Sequence, residues 1–420
     1  MKKKLIIVPP KKCARCRSCV NNCDKSKSIP LNEAMARLFS VATFHASVED
    51  AHLESALGRI TAARHISKWD VPNRNVATKD GVAVNYERIF SSDSPFSPFE
   101  TEDFEIVPMG SPVSDQYDTL LHAEQCSLTE GGIQVIEKPT RGQCVTWKGH
   151  SLEKGELIVD SHVRLRPGHL FMLRMGGVEI VKVIRKPRVA VIPIGDDIIQ
   201  PGAPLAPGEM VEADGLYVKS LAEEYGGEAA LLPPVGDDVE RIQSALRDAA
   251  RSYDLIAIIG GLGKGRSAYR DYTVTAVEGL GDVINHGVLV SPGGSPSLVA
   301  VIDGKPVLGI PGPPHAALIM ADVLLKPVLN RYYKTDGFSR PKVWAELMSD
   351  FQPRGDTEWH VRIHLKRNGQ GYEVYPVAEM GDTVENIAAS NGVVKIPPRK
   401  AFARGERIEV EILSEIIGGH

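Results

Sequence analysis

The alternation of apolar and polar positions divides the chain into stretches of different period. Residues 31–39 place Leu31, Ala34, Met35 and Leu38 at helical spacing, and residues 53–60 predict a second helical or turn segment. Beyond Lys79-Asp80-Gly81-Val82-Ala83-Val84, and up to about Gly176, the runs become short and alternating and are broken by glycine, proline and aspartate. Residues 132–136 and 155–159 are examples, and the stretch predicts an elongated β-rich portion. A buried strand is then expected at 188–194, ending at Gly195-Asp196-Asp197. Helices at 214–224 and 238–251 alternate with strands at 229–232 and 255–259, and further strands are expected at 283–290, 298–302 and 307–310. The last reaches Pro311-Gly312-Pro313-Pro314 before a helix running to about Leu329. Such alternation predicts a mostly parallel sheet with right-handed crossovers. Past Arg340-Pro341, short strands at 342–347, 359–365, 372–377 and 407–413 suggest a small closed β domain. The fold class expected is α/β plus β. Its parts are a tail (1–28), a helical linker with an elongated β-rich region (29–186), an α/β domain (187–334) and a C-terminal β domain (335–420).

The run ending at Ile259 leads into Gly260-Gly261-Leu262-Gly263-Lys264-Gly265, and a helix is expected from near Asp271. A glycine loop between strand and helix lies where ligands bind in open α/β sheets, and its backbone N–H groups can turn toward an anion. A phosphate-bearing ligand is one reading and an ordinary tight turn is the other. It is neither a Walker A loop, since Gly265 follows Lys264, nor a dinucleotide fingerprint.

Charge is distributed unevenly. Residues 1–28 carry nine Lys/Arg and one acid, so the rest of the chain holds −12 of an overall −4. The tail has no aromatic residue for base stacking, which leaves nucleic-acid binding a minor alternative. It does hold Cys13-x2-Cys16-x2-Cys19-x3-Cys23, the ferredoxin-type spacing for a [4Fe–4S] cluster. Zinc on four thiolates and an unliganded redox-active tail are the competing readings, because Asp24 stands where proline usually follows. No apolar run approaches a membrane span, and Leu5-Ile6-Ile7-Val8 is too short for a signal-peptide core, so a soluble cytoplasmic protein is expected.

Acidic residues fall at strand ends and turn starts around the glycine loop, at Asp196-Asp197, Asp237-Asp238 and Asp271, with Asp80 in its own loop. Carboxylates beside a phosphate site make sense when Mg²⁺ lies between them. Helix N-capping by Asp237 and Asp271 is the alternative.

Several blocks occur in an order that resembles the MoeA/gephyrin E-domain family of molybdopterin molybdenumtransferases. They are Asp70-Val71-Pro72 through Val84, Ile194-Gly195-Asp196-Asp197 with Pro201-Gly202, Gly260-Gly261 with Asp271-Tyr272-Thr273, His286-Gly287-Val288, Pro311-Gly312-Pro313-Pro314, and Ala388-Ala389-Ser390-Asn391-Gly392. The resemblance implies a three-layer α/β molybdopterin-binding domain with a β-rich extension and a C-terminal β-barrel-like domain. It also implies a cytoplasmic homodimer that hydrolyses adenylylated molybdopterin with Mg²⁺, inserts molybdate or tungstate, and serves a recipient molybdoenzyme. Asp80, Asp197, Asp237 and Asp271 match the family's functional acids, with Asp197, Asp237 and Asp271 as Mg²⁺ ligands. The ligand would lie over Gly260, Gly261, Gly263, Lys264, Gly265, Arg266, Arg270, Tyr272 and Thr273 and near Pro311 and Gly312.

The chain departs from that pattern where the family carries cations in an Arg/Lys-Pro-Gly-Lys-Pro segment. Here it reads Ser291-Pro292-Gly293-Gly294-Ser295-Pro296, while the glycine loop is longer and supplies Lys264, Arg266 and Arg270 as substitutes. Two other functions therefore stay open, a molybdopterin carrier or insertion chaperone with an Fe–S or redox tail, and a nucleotide pyrophosphatase.

Overall fold

The structure, a computed structural model, describes residues 28–90, 103–130, 132–262, 271–352, 355–369, 371–377 and 389–414. The cysteines at 13, 16, 19 and 23 and the loop residues Gly263, Lys264, Gly265, Arg266 and Arg270 lie outside the described residues. Two compact units form. The first takes the described residues up to His45 with Pro187–Tyr332 and Phe338 onward, and the second takes Ala46–Lys186 with Tyr333–Gly337.

The first unit begins with helix α1 (Leu31–Val41). Its α/β part holds β1 (Arg188–Pro193), α2 (Asp214–Glu224), β2 (Glu228–Leu231), α3 (Val239–Ser252), β3 (Leu255–Ile259), α4 (Tyr272–Glu278), β4 (Asp282–His286), β5 (Val290–Ser291), β6 (Leu298–Ile302), β7 (Lys305–Ile310) and α5 (Pro314–Tyr333). The sheet order is β2-β1-β3-β7-β6-β4. The first three pairings are parallel and the last two antiparallel. Parallel pairing gives way to a hairpin between β6 and β7 because Asp303 and Gly304 both take positive φ, 49° and 76°, the backbone of a two-residue reverse turn.

Both faces of the sheet are covered, which explains why its strands are apolar throughout rather than alternating. Ala190, Ile192, Ile256 and Ile258 share a core with Ile242, Leu246, Ala249 and Ala250 of α3 and with Ala276 and Val277 of α4. The alternate positions Val189, Val191 and Ala257 are equally buried. Helix α1 buries Ala34, Met35 and Leu38 and packs along β6 and β4, so it belongs to this unit and not to the β-rich stretch that follows it in sequence.

The C-terminal strands are β8 (Lys342–Leu347), β9 (Glu358–Asn368), β10 (Gly371–Pro376), β11 (Gly392–Ile396) and β12 (Arg407–Ile412). They run β9-β10-β8-β12-β11, and pairing of β11 back onto β9 closes a five-stranded barrel, with β5 added to β9 at its edge. Two expectations are corrected here. Strand β11 was not foreseen. The single strand expected over 283–290 is two, because the chain turns at Gly287 (φ 98°), where a Cβ would meet Ser295 O at 2.9 Å and Ser28 Oγ at 2.5 Å. Val290–Ser291 then leaves the α/β sheet for the barrel. The barrel is also tied to the α/β part by charge: Lys326 of α5 lies 3.3 Å from Glu411 of β12, and Arg362 of β9 donates to Tyr217 Oη of α2 at 2.9 Å.

The second unit has a core of Ala51, Leu53, Ala56, Leu165, Leu173, Val181 and Val183, in which Val48–His52 pairs with Ile180–Ile184. Two further cores flank a three-stranded sheet of Gly81–Val84 between Phe104–Val107 and Thr119–His122. The segment expected at 53–60 is a single 3-10 turn, Leu53–Ser55.

Candidate functional site

Strands β1, β3 and β7 run parallel and end at one edge, so the segments that leave them converge there. Between these ends lies a cavity of about 420 Å³, lined by Pro193, Ile194, Ile259, Gly260, Gly312 and Pro313 together with Met210, Val211, Glu212, Asp214 and Asp197. Glycine is required where the walls approach. A Cβ on Gly260 (φ 85°) would lie 2.4 Å from Ile194 O, and one on Gly261 (φ 60°) would lie 2.4 Å from Thr273 Oγ1. A Cβ on Gly312 would meet nothing nearer than Gly260 Cα at 3.7 Å, so the ends of β3 and β7 form a shared backbone floor.

The glycine turn differs from an open anion nest in one respect. The Gly260 N–H already donates to Ile310 O at 3.0 Å and completes the sheet. Thr273 is fully buried and donates its hydroxyl to Gly260 O at 3.1 Å, so it sets the shape of the turn and is not free for a ligand. Tyr272 packs beside the α/β core, and Pro311 lines a neighbouring cavity of about 400 Å³ with Leu262, Gly293, Ser295 and His315. Among the described residues that line this second cavity, His315 is the one ionisable side chain. Among the described residues, nothing there replaces the cations absent from 291–296.

The four acids separate into distinct situations. Asp271 caps α4, accepting from Val274 N–H at 3.1 Å, and its Oδ2 faces His286 Nε2 at 3.6 Å. The cap of α3 is Asp238, which accepts from Arg241 N–H at 2.9 Å, so Asp237 is spared that role. Instead, the Asp237 N–H donates to Asp196 Oδ1 at 3.1 Å. Burial, and then the charges of Asp196 and Asp197, push the Asp237 carboxyl above the usual aspartate range. Asp80 lies in the second unit, where its Oδ1 accepts the Met109 N–H at 2.7 Å.

No group of three or more His, Cys, Asp or Glu is arranged to hold a metal on its own among the described residues. Mg²⁺ needs only one or two carboxylates when phosphate oxygens and waters complete its shell. Asp196 and, to a smaller extent, Asp197 are the charges that raise Asp237.

Two site residues were missed from sequence, Glu212 and Asp214. Glu212 is only 7% exposed and its carboxylate accepts the Gly215 N–H. Asp214 begins α2 in the cavity wall, where burial, reinforced by the Glu212 charge, pushes its carboxyl up to about 6. The available signal was two acids spaced i, i+2 in an apolar run directly before a glycine, Val211-Glu212-Ala213-Asp214-Gly215.

A covered α/β sheet whose parallel strands end at a cavity lined by Asp197, Glu212 and Asp214, followed by a closed barrel, defines an α/β-plus-β protein with its cavity at the carboxyl ends of the strands. A family model described as "MoeA N-terminal region (domain I and II)" matches residues 29–177, and one described as "Probable molybdopterin binding domain" matches residues 190–331. The molybdopterin molybdenumtransferase of Staphylococcus epidermidis is 23% identical over 418 residues, covering 93% of this chain and 97% of that protein. A crystal structure of a molybdopterin biosynthesis MoeA protein from Pyrococcus horikoshii matches with a TM-score of 0.78 at 28% identity, over 93% of this chain and 100% of that one. A second MoeA structure from the same organism, at 22% identity and a TM-score of 0.75, has the same fold. The chain belongs to the MoeA family.

Proposed function

We propose that this protein is a molybdopterin molybdenumtransferase-like enzyme of molybdenum or tungsten cofactor biosynthesis. In this reading it binds adenylylated molybdopterin in the α/β cavity, cleaves the adenylate and accepts an oxyanion. The observation that carries the reading is the cavity itself. Its floor is the bare backbone of Gly260 and Gly312, which lets a phosphate approach closely, and Asp197, one of its lining acids, adds to the charge that raises Asp237. A magnesium ion held by Asp197, Asp237 and the ligand's phosphate oxygens would neutralise the pyrophosphate and favour attack at phosphorus. Asp271 and Thr273 hold the turn in shape, and the apolar walls exclude water from the heterocycle.

Lys264, Arg266 and Arg270 would supply the cations that the 291–296 segment lacks, and Cys13, Cys16, Cys19 and Cys23 would hold an iron–sulfur cluster or zinc in an N-terminal tail. A cytoplasmic homodimer that hands its product to a recipient molybdoenzyme fits this role. No described helix is long and apolar enough to cross a membrane.

The test is anaerobic titration calorimetry with adenylylated molybdopterin and Mg²⁺, followed by molybdate and product analysis. Binding with molybdate-stimulated AMP release is expected. Tight binding without turnover makes the protein a carrier, molybdate-indifferent hydrolysis makes it a pyrophosphatase, and no binding overturns the assignment.

A further inference from the structure

The two cavities of the first unit differ in charge. Among the described residues, the main one is lined by Asp197, Glu212 and Asp214 and by no lysine or arginine. The second, of about 400 Å³, is lined by no carboxylate; Ser295 and His315 are its polar side chains, and the rest of its wall is glycine, proline, alanine and leucine. His315 and Ala316 belong to the first turn of α5, a 20-residue helix whose amino end carries partial positive charge. An anion in the second cavity therefore meets no opposing carboxylate, but its described wall offers no full positive charge other than a protonated His315.

The wall also cannot carry a cation at its tightest point. Ser297 is fully buried and donates its hydroxyl to Gly293 O at 2.8 Å, which fixes the turn, and a Cβ on Gly294 would run into the carbonyls of Val288 and Val290. The basic N-terminal segment joins the fold at this same place. Ile29 N–H donates to Gly287 O at 3.4 Å, and Ile29 O accepts the Leu289 N–H at 2.7 Å. A Cβ on Gly287 would lie 2.5 Å from Ser28 Oγ and 2.9 Å from Ser295 O, so Ser28 and the cavity residue Ser295 crowd one spot. Successive residues advance by at most about 3.6 Å, so Lys27 starts one step from Ser28, and Lys25 within roughly 11 Å of it. Residues 1–28 carry nine Lys/Arg and one acid against −12 on the remaining chain, a difference that draws the segment back onto the fold.

We propose that segment 23–27 docks across the mouth of the second cavity of its own chain, where Lys25 and Lys27 complete a site for a tetrahedral oxyanion. This rests on the functional reading above and deepens it, because it gives the accepted oxyanion a place and a source of positive charge besides the 263–270 loop. The two cavities then divide the work. The acid-lined one suits a cation and the ligand's phosphates, and the carboxylate-free one holds the incoming anion.

Isothermal titration of the full-length protein with molybdate and, separately, with phosphate reads the site directly. Tighter molybdate binding assigns the site to a metal oxyanion, and tighter phosphate binding to the ligand's phosphate group; both fit the proposed chemistry. Lys25→Ala/Lys27→Ala is expected to weaken the tighter anion at least about tenfold, the value of one charge-assisted hydrogen bond, at unchanged melting temperature. A Ser295→Cys protein locates the anion: bound anion should slow alkylation of the introduced thiol by iodoacetamide, followed by peptide mass spectrometry, and the two lysine substitutions should abolish that protection. Unchanged affinity in the lysine variant, no protection at position 295, or no anion binding by the wild type overturns the inference. AMP release from adenylylated molybdopterin is measured on the same preparation. AMP release without anion binding defeats this inference alone, whereas the absence of both defeats the functional reading beneath it as well.

Discussion

Two acids in the first unit, one buried and one half-buried, are shifted in opposite directions, and the difference separates architecture from chemistry. Glu411, on barrel strand β12, is pushed up by burial, yet Lys395 at 2.7 Å and Lys326 at 3.3 Å more than offset this and hold its carboxyl at about 2. Asp214, in the cavity wall, has no such partner among the described residues; burial and the Glu212 charge move it the other way, to about 6. The barrel acid is satisfied within the protein and its job is to fasten β12 and β11 to α5. The cavity acid is left poised, as groups reserved for a ligand or a proton are.

The largest expected effect tests the satisfied side. Glu411→Gln leaves Lys326 and Lys395 facing a neutral group; Lys395 is 44% exposed and Lys326 keeps Asp322 at 3.9 Å, so the loss is that of charge-assisted hydrogen bonds, about 1.5–3 kcal/mol. Urea unfolding at pH 7 measures it, and a loss below about 1 kcal/mol would mean that this network does not fasten the barrel. The wild-type contribution also has a definite pH window. The folded value lies below the unfolded one of about 4.5, so the stabilisation is present above that pH and disappears as pH falls toward 2.

Next come the residues that shape the cavity floor. Gly261→Ala forces a side chain into a positive-φ backbone and against Thr273 Oγ1, at a cost of about 1–3 kcal/mol, and should weaken ligand binding as well as lower the melting temperature. Thr273→Val removes the hydroxyl bound to Gly260 O and strands that carbonyl, for a loss of about 1 kcal/mol and a slower turnover at unchanged nucleotide affinity. The smallest effect belongs to Asp214→Asn. Asp214 titrates at about 6 when folded and at 3.8 when unfolded, so the native state binds the extra proton and its stability falls as pH rises between those values. The Asn variant should flatten that slope and leave stability at pH 4 unchanged, as thermal unfolding across the pH range will report.

The same contrast explains what the sequence made legible. Strands buried on both faces announce themselves as unbroken apolar runs, and Leu255–Ile259 and Leu298–Ile302 appear at the expected positions. Caps and glycine turns are local, which is why the turn at Gly260-Gly261 and the helix after Asp271 could be placed. Strand β11 was hidden because Gly392-Val393-Val394-Lys395-Ile396 is short, begins at a glycine and is interrupted by Lys395, and closure of the barrel onto β9 makes it a strand. The break at Gly287 depends on contacts with Ser28 and Ser295, which a pattern read along one segment does not contain. Glu212 and Asp214 were missed for a related reason: an acid in an apolar run becomes a candidate only when the walls around it are known. Capping was the alternative role considered for Asp237; the neighbouring Asp238 performs it, and the Asp237 N–H donates to Asp196 instead.

The central claim is that the acid-lined cavity at the ends of β1, β3 and β7 performs hydrolysis of the adenylate. Its most direct test is single-turnover AMP release from adenylylated molybdopterin in the presence of Mg²⁺, comparing wild type with Asp237→Asn. The account predicts AMP release by the wild type and a loss of about a hundredfold or more in the variant, the scale of removing one group that stabilises transition-state charge, with ligand binding retained. Equal rates for the two proteins, or no AMP release by the wild type, would contradict it.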